Sequence, residues 1–191
     1  FYGQYARTHS YFSNSELAAT DLPSTDELRI LRPYKGQVAD EVFTKTYQAP
    51  KGGGPKQIRK NLRVATKLLK EAGWVIKDGK RVNAKTGQSL DFEVLLVSPL
   101  FERIVLPFAK NLEKLGVRVR VRTVDPSQYR RRIQTYDFDV IVGGWGQSLS
   151  PGNEQRNFWG SKAADLEGGR NTIGIKEPVI DELVEKIIAA P

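Results

Sequence analysis

Apolar side chains recur with a helical period in two long stretches of the chain. Between Pro55 and Gly73, the residues Ile58, Leu62, Ala65, Leu69 and Ala72 share one stripe. Pro55 suits a first helical turn, and Gly73 stands where a left-handed C-terminal residue belongs. A second helix starts at Ser98-Pro99, turns Phe101, Ile104, Val105, Phe108, Leu112 and Leu115 to one side, and ends at Gly116; Pro107 inside it predicts a kink. Trp74 to Lys77, Asp78-Gly79 and Lys80 to Val82 read as a hairpin with a two-residue turn. Phe92 to Val97 is apolar on both faces, as a buried strand is. Val117, Val119 and Val121 alternate with Arg118, Arg120 and Arg122, a strand with one covered face. Asp125-Pro126-Ser127-Gln128 starts a helix whose inner face is Tyr129 and Ile133, and Phe138 to Val142 is a third strand. Pro178 to Ala189 forms a last helix, with Ile180, Leu183, Val184, Ile187 and Ile188 inward.

From Phe92 onward the order is β-α-β-α-β with short connections, which implies a mostly parallel sheet with helices packed on it. The opening 47 residues are different. Their aromatic residues follow no period; Ser15 to Ala19 and Thr25 to Leu31 are short helical pieces, the second ended by Pro33. Lys51-Gly52-Gly53-Gly54-Pro55 reads as a linker, since consecutive glycines hold no regular structure. The expected organisation is therefore an irregular segment over 1–50 and an α/β lobe over 51–191.

Composition narrows the chemistry. The chain has 191 residues, no Cys and one His, so thiolate zinc sites, a Cys nucleophile and multi-His metal sites are excluded. A Ser-His-Asp hydrolase would depend on His9 alone. No apolar run approaches the ~20 residues that cross a bilayer. With 30 Lys and Arg against 22 Asp and Glu, the net charge is +8. Such an excess raises the alternative of a basic nucleic-acid-binding module built on Arg118, Arg120, Arg122 and Arg130 to Arg132. No aromatic residues interleave with these arginines as a stacking platform requires, and no helix-turn-helix or zinc-finger pattern occurs. The chain opens at Phe1 without an initiator Met and closes inside an apolar helical pattern, so it is expected to be a piece of a longer protein.

In open α/β sheets ligands bind beyond the carboxyl ends of the strands. The third predicted strand ends there in Gly143-Gly144-Trp145-Gly146-Gln147-Ser148-Leu149-Ser150-Pro151-Gly152-Asn153-Glu154-Gln155. Glycines let a ligand backbone come close, Trp145 offers an apolar face, and Ser150, Asn153 and Gln155 carry donors and acceptors that suit amides. The competing reading is an ordinary surface loop whose Trp145 plugs the core. Asp137 and Asp139 flank Phe138 as a metal pair would, or serve as a helix end and a hydrogen-bonded polar position. No acid/base pair, nucleophile elbow, phosphate loop or dinucleotide fingerprint is present, so no catalysis and no cofactor or metal is expected.

Three stretches resemble a known family. They are Phe1 to Ala19; Asn61-Leu62-Arg63-Val64-Ala65 with Leu68-Leu69-Lys70-Glu71-Ala72-Gly73-Trp74; and Gln128 to Arg132 with Asp137-Phe138-Asp139 and Gln147 to Gln155. The chain resembles the family 5 extracellular solute-binding proteins that deliver peptides to ABC transporters. Within them it is similar to the YejA-like branch, associated with microcin C and murein-type peptides. The resemblance implies a lobe of the type II periplasmic-binding-protein fold, with the first lobe and the C-terminal return strands outside the chain, and closure of two lobes on a ligand. It implies a monomer in the Gram-negative periplasm that hands peptides to an inner-membrane permease, without nucleic acid. The ligand contacts it implies are Trp145, Gln147, Ser148, Ser150, Gly152, Asn153, Glu154 and Gln155, joined by Tyr11 and Asn14. Oligopeptide-binding members carry an Asp for the peptide's free amine shortly after this Trp, and that place falls on Ser148. A hydroxyl forms no charge-assisted bond, so either Glu154 supplies the charge, or the ligand lacks a free amine there; the second is favoured, because Glu154 lies beyond Pro151 and is expected to begin a helix.

Overall fold

The structure, a computed structural model, describes residues 6–13 and 15–190. Asn14 and the first five residues of the opening stretch lie outside the described residues. In chain order the helices are α1 (Thr25–Leu31), α2 (Glu41–Thr44), α3 (Pro55–Glu71), α4 (Glu102–Glu113), α5 (Pro126–Gln134), α6 (Glu154–Trp159) and α7 (Pro178–Ile188). The strands are β1 (Trp74–Lys77), β2 (Lys80–Asn83), β3 (Asp91–Leu96), β4 (Arg118–Thr123) and β5 (Val140–Ile141). They fall into two compact units, one of Phe1–Ala49 with Trp145–Pro191 and one of Pro50–Gly144. The first unit thus joins the opening segment to the C-terminal stretch, and the second runs from Pro50 to Gly144.

The unit of residues 50–144 is the predicted sheet. β3 lies in the middle, parallel to β4 on one side and to β5 on the other. Its Val94, Leu95 and Leu96 are buried, and α4 packs on β4. Arg118, Arg120 and Arg122 are exposed while Val119 and Val121 are half-buried, the alternation that a sheet with one covered face imposes. The antiparallel hairpin of β1 and β2 turns at Asp78 and Gly79, both at positive φ. It rests on the end of α4: the Arg81 amide donates to the Gly116 carbonyl at 2.7 Å, and the buried Arg81 guanidinium donates to the carbonyls of Leu115 and Trp74. Gly116 has φ +78, and a Cβ there would meet Ile76 Cδ1 at 2.7 Å, so only glycine fits. α4 continues through Pro107. β5 is shorter than the predicted strand of 138–142, because the Asp139 carboxylate takes the Glu93 N–H at 2.8 Å that a ladder carbonyl would otherwise accept.

The other unit is helical and held by side chains. The Tyr34 side chain is buried and its hydroxyl donates to Glu182 of α7 at 2.7 Å. α6 and α7 pack together around Phe158, Ala163, Val179 and Val184, and Arg156 grips Glu185 through Nε at 2.6 Å and Nη2 at 2.5 Å. The inner face of α7 is set by Val179 and Val184; Ile187, expected inside, is 41% exposed. Ser15 to Ala19, expected as a helix, forms turns. The hydroxyls of Ser10, Ser13 and Ser15 bond nearby backbone groups and compete with helix formation.

Candidate functional site

β5 leads at its carboxyl end into Val142, Gly143 and Gly144, which are exposed. The next residue, Trp145, belongs to the helical unit, and there its indole N–H donates to the Arg170 carbonyl at 3.2 Å. Three rings meet: Trp145 lies 5.2 Å from Trp159, and Tyr11 stands 5.0 Å from Trp159 and 6.3 Å from Trp145, edge-on to the latter. Tyr11 is 67% exposed and Trp145 half-buried, so the trio presents an aromatic surface rather than a sealed plug. Beneath it Arg170 lies 4.5 Å from the Phe158 ring centre.

A chain of amides leads on from the rings. The Trp159 indole N–H donates to Gln155 Oε1 at 2.8 Å, and Gln155 Nε2 donates to Gln147 Oε1 at 2.8 Å and to Glu154 Oε1 at 3.1 Å. Gly152 N–H also donates to Glu154 Oε1, at 2.8 Å. These bonds hold the Glu154 carboxyl below its ordinary pKa, the Gly152 amide most of all. Glu154 is the first residue of α6, as a helix starting beyond Pro151 requires.

Of the residues read from the sequence, Tyr11 and Trp145 are brought together, and Gln147, Gly152, Glu154 and Gln155 form one network. Gln155 is buried, so it holds its neighbours instead of facing solvent. Ser148 and Ser150 bond each other: the Ser148 hydroxyl donates to the Ser150 carbonyl at 2.8 Å and accepts the Ser150 N–H at 3.2 Å. Asn153 Oδ1 accepts from Arg156 at 2.5 Å. Neither a positive φ nor a crowded neighbour demands glycine at Gly146, where a Cβ would meet nothing within 4 Å. Sequence reasoning missed Trp159, which couples rings to amides. Its place four residues after Gln155, on the same helical face, was the available signal. Among the described residues no three His, Cys, Asp or Glu gather as a metal site would need, and Asp137 pairs with Arg132 while Asp139 bonds the backbone.

The sequence profile described as bacterial extracellular solute-binding proteins, family 5 Middle, matches residues 1–166. The chain belongs to this family. Over 190 residues it is 50% identical to the probable peptide-binding protein YejA of Agrobacterium fabrum, covering all of this chain and 31% of that protein. To the uncharacterized protein YejA of Escherichia coli it is 42% identical over 190 residues, again covering 31% of that protein. The chain therefore spans about a third of the length of these curated relatives. Among solved structures, the oligopeptide-binding protein AppA of Bacillus subtilis, in complex with a nonapeptide, matches with TM-score 0.58 and 25% identity over 68% of this chain and 26% of that one. The α/β fold of the type II periplasmic binding proteins, expected from the sequence, is the fold observed, and the homologues are solute-binding proteins. The nucleic-acid alternative is not favoured: Arg132 is held by Glu93 and Asp137, and Arg120 by Asp91.

Proposed function

We propose that the chain is part of the solute-binding component of an ABC importer, taking up peptides or peptide-like solutes in the Gram-negative periplasm. The observation that carries this reading is the partly exposed aromatic trio of Tyr11, Trp145 and Trp159, tied to an amide network on the loop 145–155. Aromatic faces hold apolar side chains, and amides match a peptide backbone without chemical change. Open space beside Gly146 supports close approach of a ligand main chain. The protein works as a monomer, performs no bond-making, and delivers its ligand to an inner-membrane permease. Closure of a two-lobed clamp needs both lobes, so the 191-residue chain alone binds weakly. The ligand lacks a free amine beside Ser148, since Ser148 carries no charge and Glu154 is engaged by Gly152 and Gln155.

The test uses the protein at the full length of its relatives, incubated with a tryptic digest of casein and analysed for retained peptides by mass spectrometry. Peptides are expected on the wild type and lost on Trp145→Ala. Retention of none by the wild type overturns the reading. Comparing the best retained peptide with its N-acetylated form tests the amine: a strong preference for the free amine counts against that part.

A further inference from the structure

The amide network ends in a donor without an acceptor. Gln147 Nε2 is shielded from solvent and has no hydrogen-bond partner among the described residues. Amide ends are often interchangeable in principle, but here the orientation follows from the neighbours. An indole N–H can only donate, so the oxygen of Gln155 must face Trp159. The nitrogen of Gln155 then faces Gln147 and Glu154, and a carboxylate that accepts from Gly152 agrees with this. Gln147 must therefore turn its oxygen to Gln155 and its nitrogen away. Reversing Gln147 would set two donors against each other, and reversing Gln155 would set its nitrogen against the indole. The relay thus fixes a shielded N–H₂ group as a donor that the described residues leave unanswered. Shielded donors without partners are rare because desolvation goes uncompensated. Gln147 as a whole is only half-buried, and it stands two residues after Trp145 on the same loop.

We propose that Gln147 is a specificity-determining residue of the ligand site. Its Nε2 is reserved for an oxygen of the ligand that can only accept, a carbonyl or carboxylate, and it turns away an ammonium group. Gln155 and the indole N–H of Trp159 position the Gln147 amide, a role separate from the aromatic face of Trp159. This inference rests on the reading of the loop as a peptide site.

The experiment uses the full-length protein and the peptide best retained from the casein digest, with affinity measured by calorimetry. Gln147→Glu replaces the donor by an acceptor of the same shape, and binding at about pH 7 is expected to weaken about tenfold or more. A carboxyl in this shielded place is held above its ordinary pKa by desolvation, so lowering the pH to about 4.5 protonates it and restores an O–H donor. Affinity should then return toward the wild type measured in parallel, a recovery that a merely structural role would not produce. Trp159→Phe removes the indole N–H and lets Gln155 turn over. It is expected to weaken binding about threefold and to double the side-chain amide signals of Gln147 in nitrogen-15 spectra. Unchanged affinity in Gln147→Glu at neutral pH, or a loss that persists unaltered at low pH, overturns the inference and leaves the peptide reading standing. Should that variant not fold, Trp159→Phe decides alone, and unaltered affinity and spectra overturn the inference. A wild type that retains no peptide overturns instead the reading on which it rests.

Discussion

In the unit of residues 50–144 the backbone mostly satisfies itself, with Asp139 and Arg81 as side-chain exceptions. Three parallel strands share their N–H and C=O groups in ladders, helices close their own bonds, and Val94, Leu95 and Leu96 fill the middle. In the unit of 1–49 with 145–191, side chains do that work. Asn171 is 0% exposed and donates from Nδ2 to the carbonyls of Gly160 and Ile175, while its Oδ1 accepts from the N–H groups of Gly174 and Ile175. Asp181 takes the Ser161 N–H at 2.7 Å, Tyr34 reaches Glu182, and Gln155 links Trp159 to Gln147. A self-satisfied sheet gives stability that tolerates surface change. A unit held by polar side chains holds donors and acceptors at chosen places, which is what recognition of an amide ligand needs, and it depends on single residues.

The sharpest way to break this contrast is to remove one core residue from the sheet. Leu95 is 0% exposed in the central strand, and Leu95→Ala is expected to cost about 2–5 kcal/mol through lost burial and the cavity left behind. Hydrogen exchange should show β3, β4 and β5 losing protection while α6 and α7 keep theirs. Equal loss in both units would show that they unfold together and dissolve the distinction. The corresponding change in the other unit is Asn171→Ala, which strands the carbonyl and the amide of Ile175, while the Gly160 carbonyl keeps the Ala163 N–H and the Gly174 N–H keeps the Asn171 carbonyl. A loss of about 2–3 kcal/mol is expected, seen as faster exchange over 160–175 with β3 untouched. Near-neutral behaviour would mean that water replaces the side chain and that the network is ornamental.

The same difference decides what the sequence discloses. α3, the hairpin, β3, α4, β4 and α5 are all legible, because each is written as a period of apolar residues with a proline, Asp-Gly or glycine at its border. What escaped were features without a period. Asn171 is one polar residue in a loop, and nothing in its neighbours announces burial. The capping box of α1, Ser24 with Glu27, has a readable spacing, but it sits in a turn-like stretch where the turn residues dominate. At the candidate site, the residue types of 145–155 were legible, while the meeting of Tyr11 with Trp145, far apart in the chain, was not. Burial of Gln155 and the pairing of Ser148 with Ser150 depend on side-chain direction, which composition does not carry.

Acid should sharpen the contrast with a smaller effect. Four carboxylates of the helical unit are held below their ordinary values. The Leu22 amide and the Thr46 hydroxyl act on Asp21, the Ser24 amide and hydroxyl on Glu27, the Gly152 amide on Glu154, and the Arg156 guanidinium on Glu185. A carboxyl whose pKa is lower folded than unfolded binds protons more readily in the unfolded chain. Its contribution is complete above the unfolded value, near 3.8 for Asp and 4.5 for Glu, and is lost as pH falls through the folded one. Asp21, Glu27 and Glu185 are exposed and Glu154 is half-buried, so solvent and salt screening keep each contribution modest. Tryptophan fluorescence in a Trp74→Phe background reports Trp145 and Trp159 alone. It should show the helical unit loosening below about pH 4.5, and less so in Arg156→Gln, which has already lost the Glu185 pairing. A transition identical in that variant would remove the ion pair from the account.

The smallest expected effect belongs to Ser24→Ala. Ser24 stands before α1, where its hydroxyl accepts the Glu27 N–H at 3.3 Å while the Glu27 carboxylate accepts the Ser24 N–H at 2.7 Å. Removing the hydroxyl breaks half of this reciprocal pair and should cost about 1 kcal/mol. α1 has seven residues and none of them is buried, so little packing masks the cap. Protection should fall over 27–31 alone, and Ser24→Asp should restore it, since a carboxylate also caps and favours the positive helix end. Loss spreading to Tyr34 and α7 would instead mean that α1 orders the tyrosine, and that the unit is cooperative down to its least buried helix.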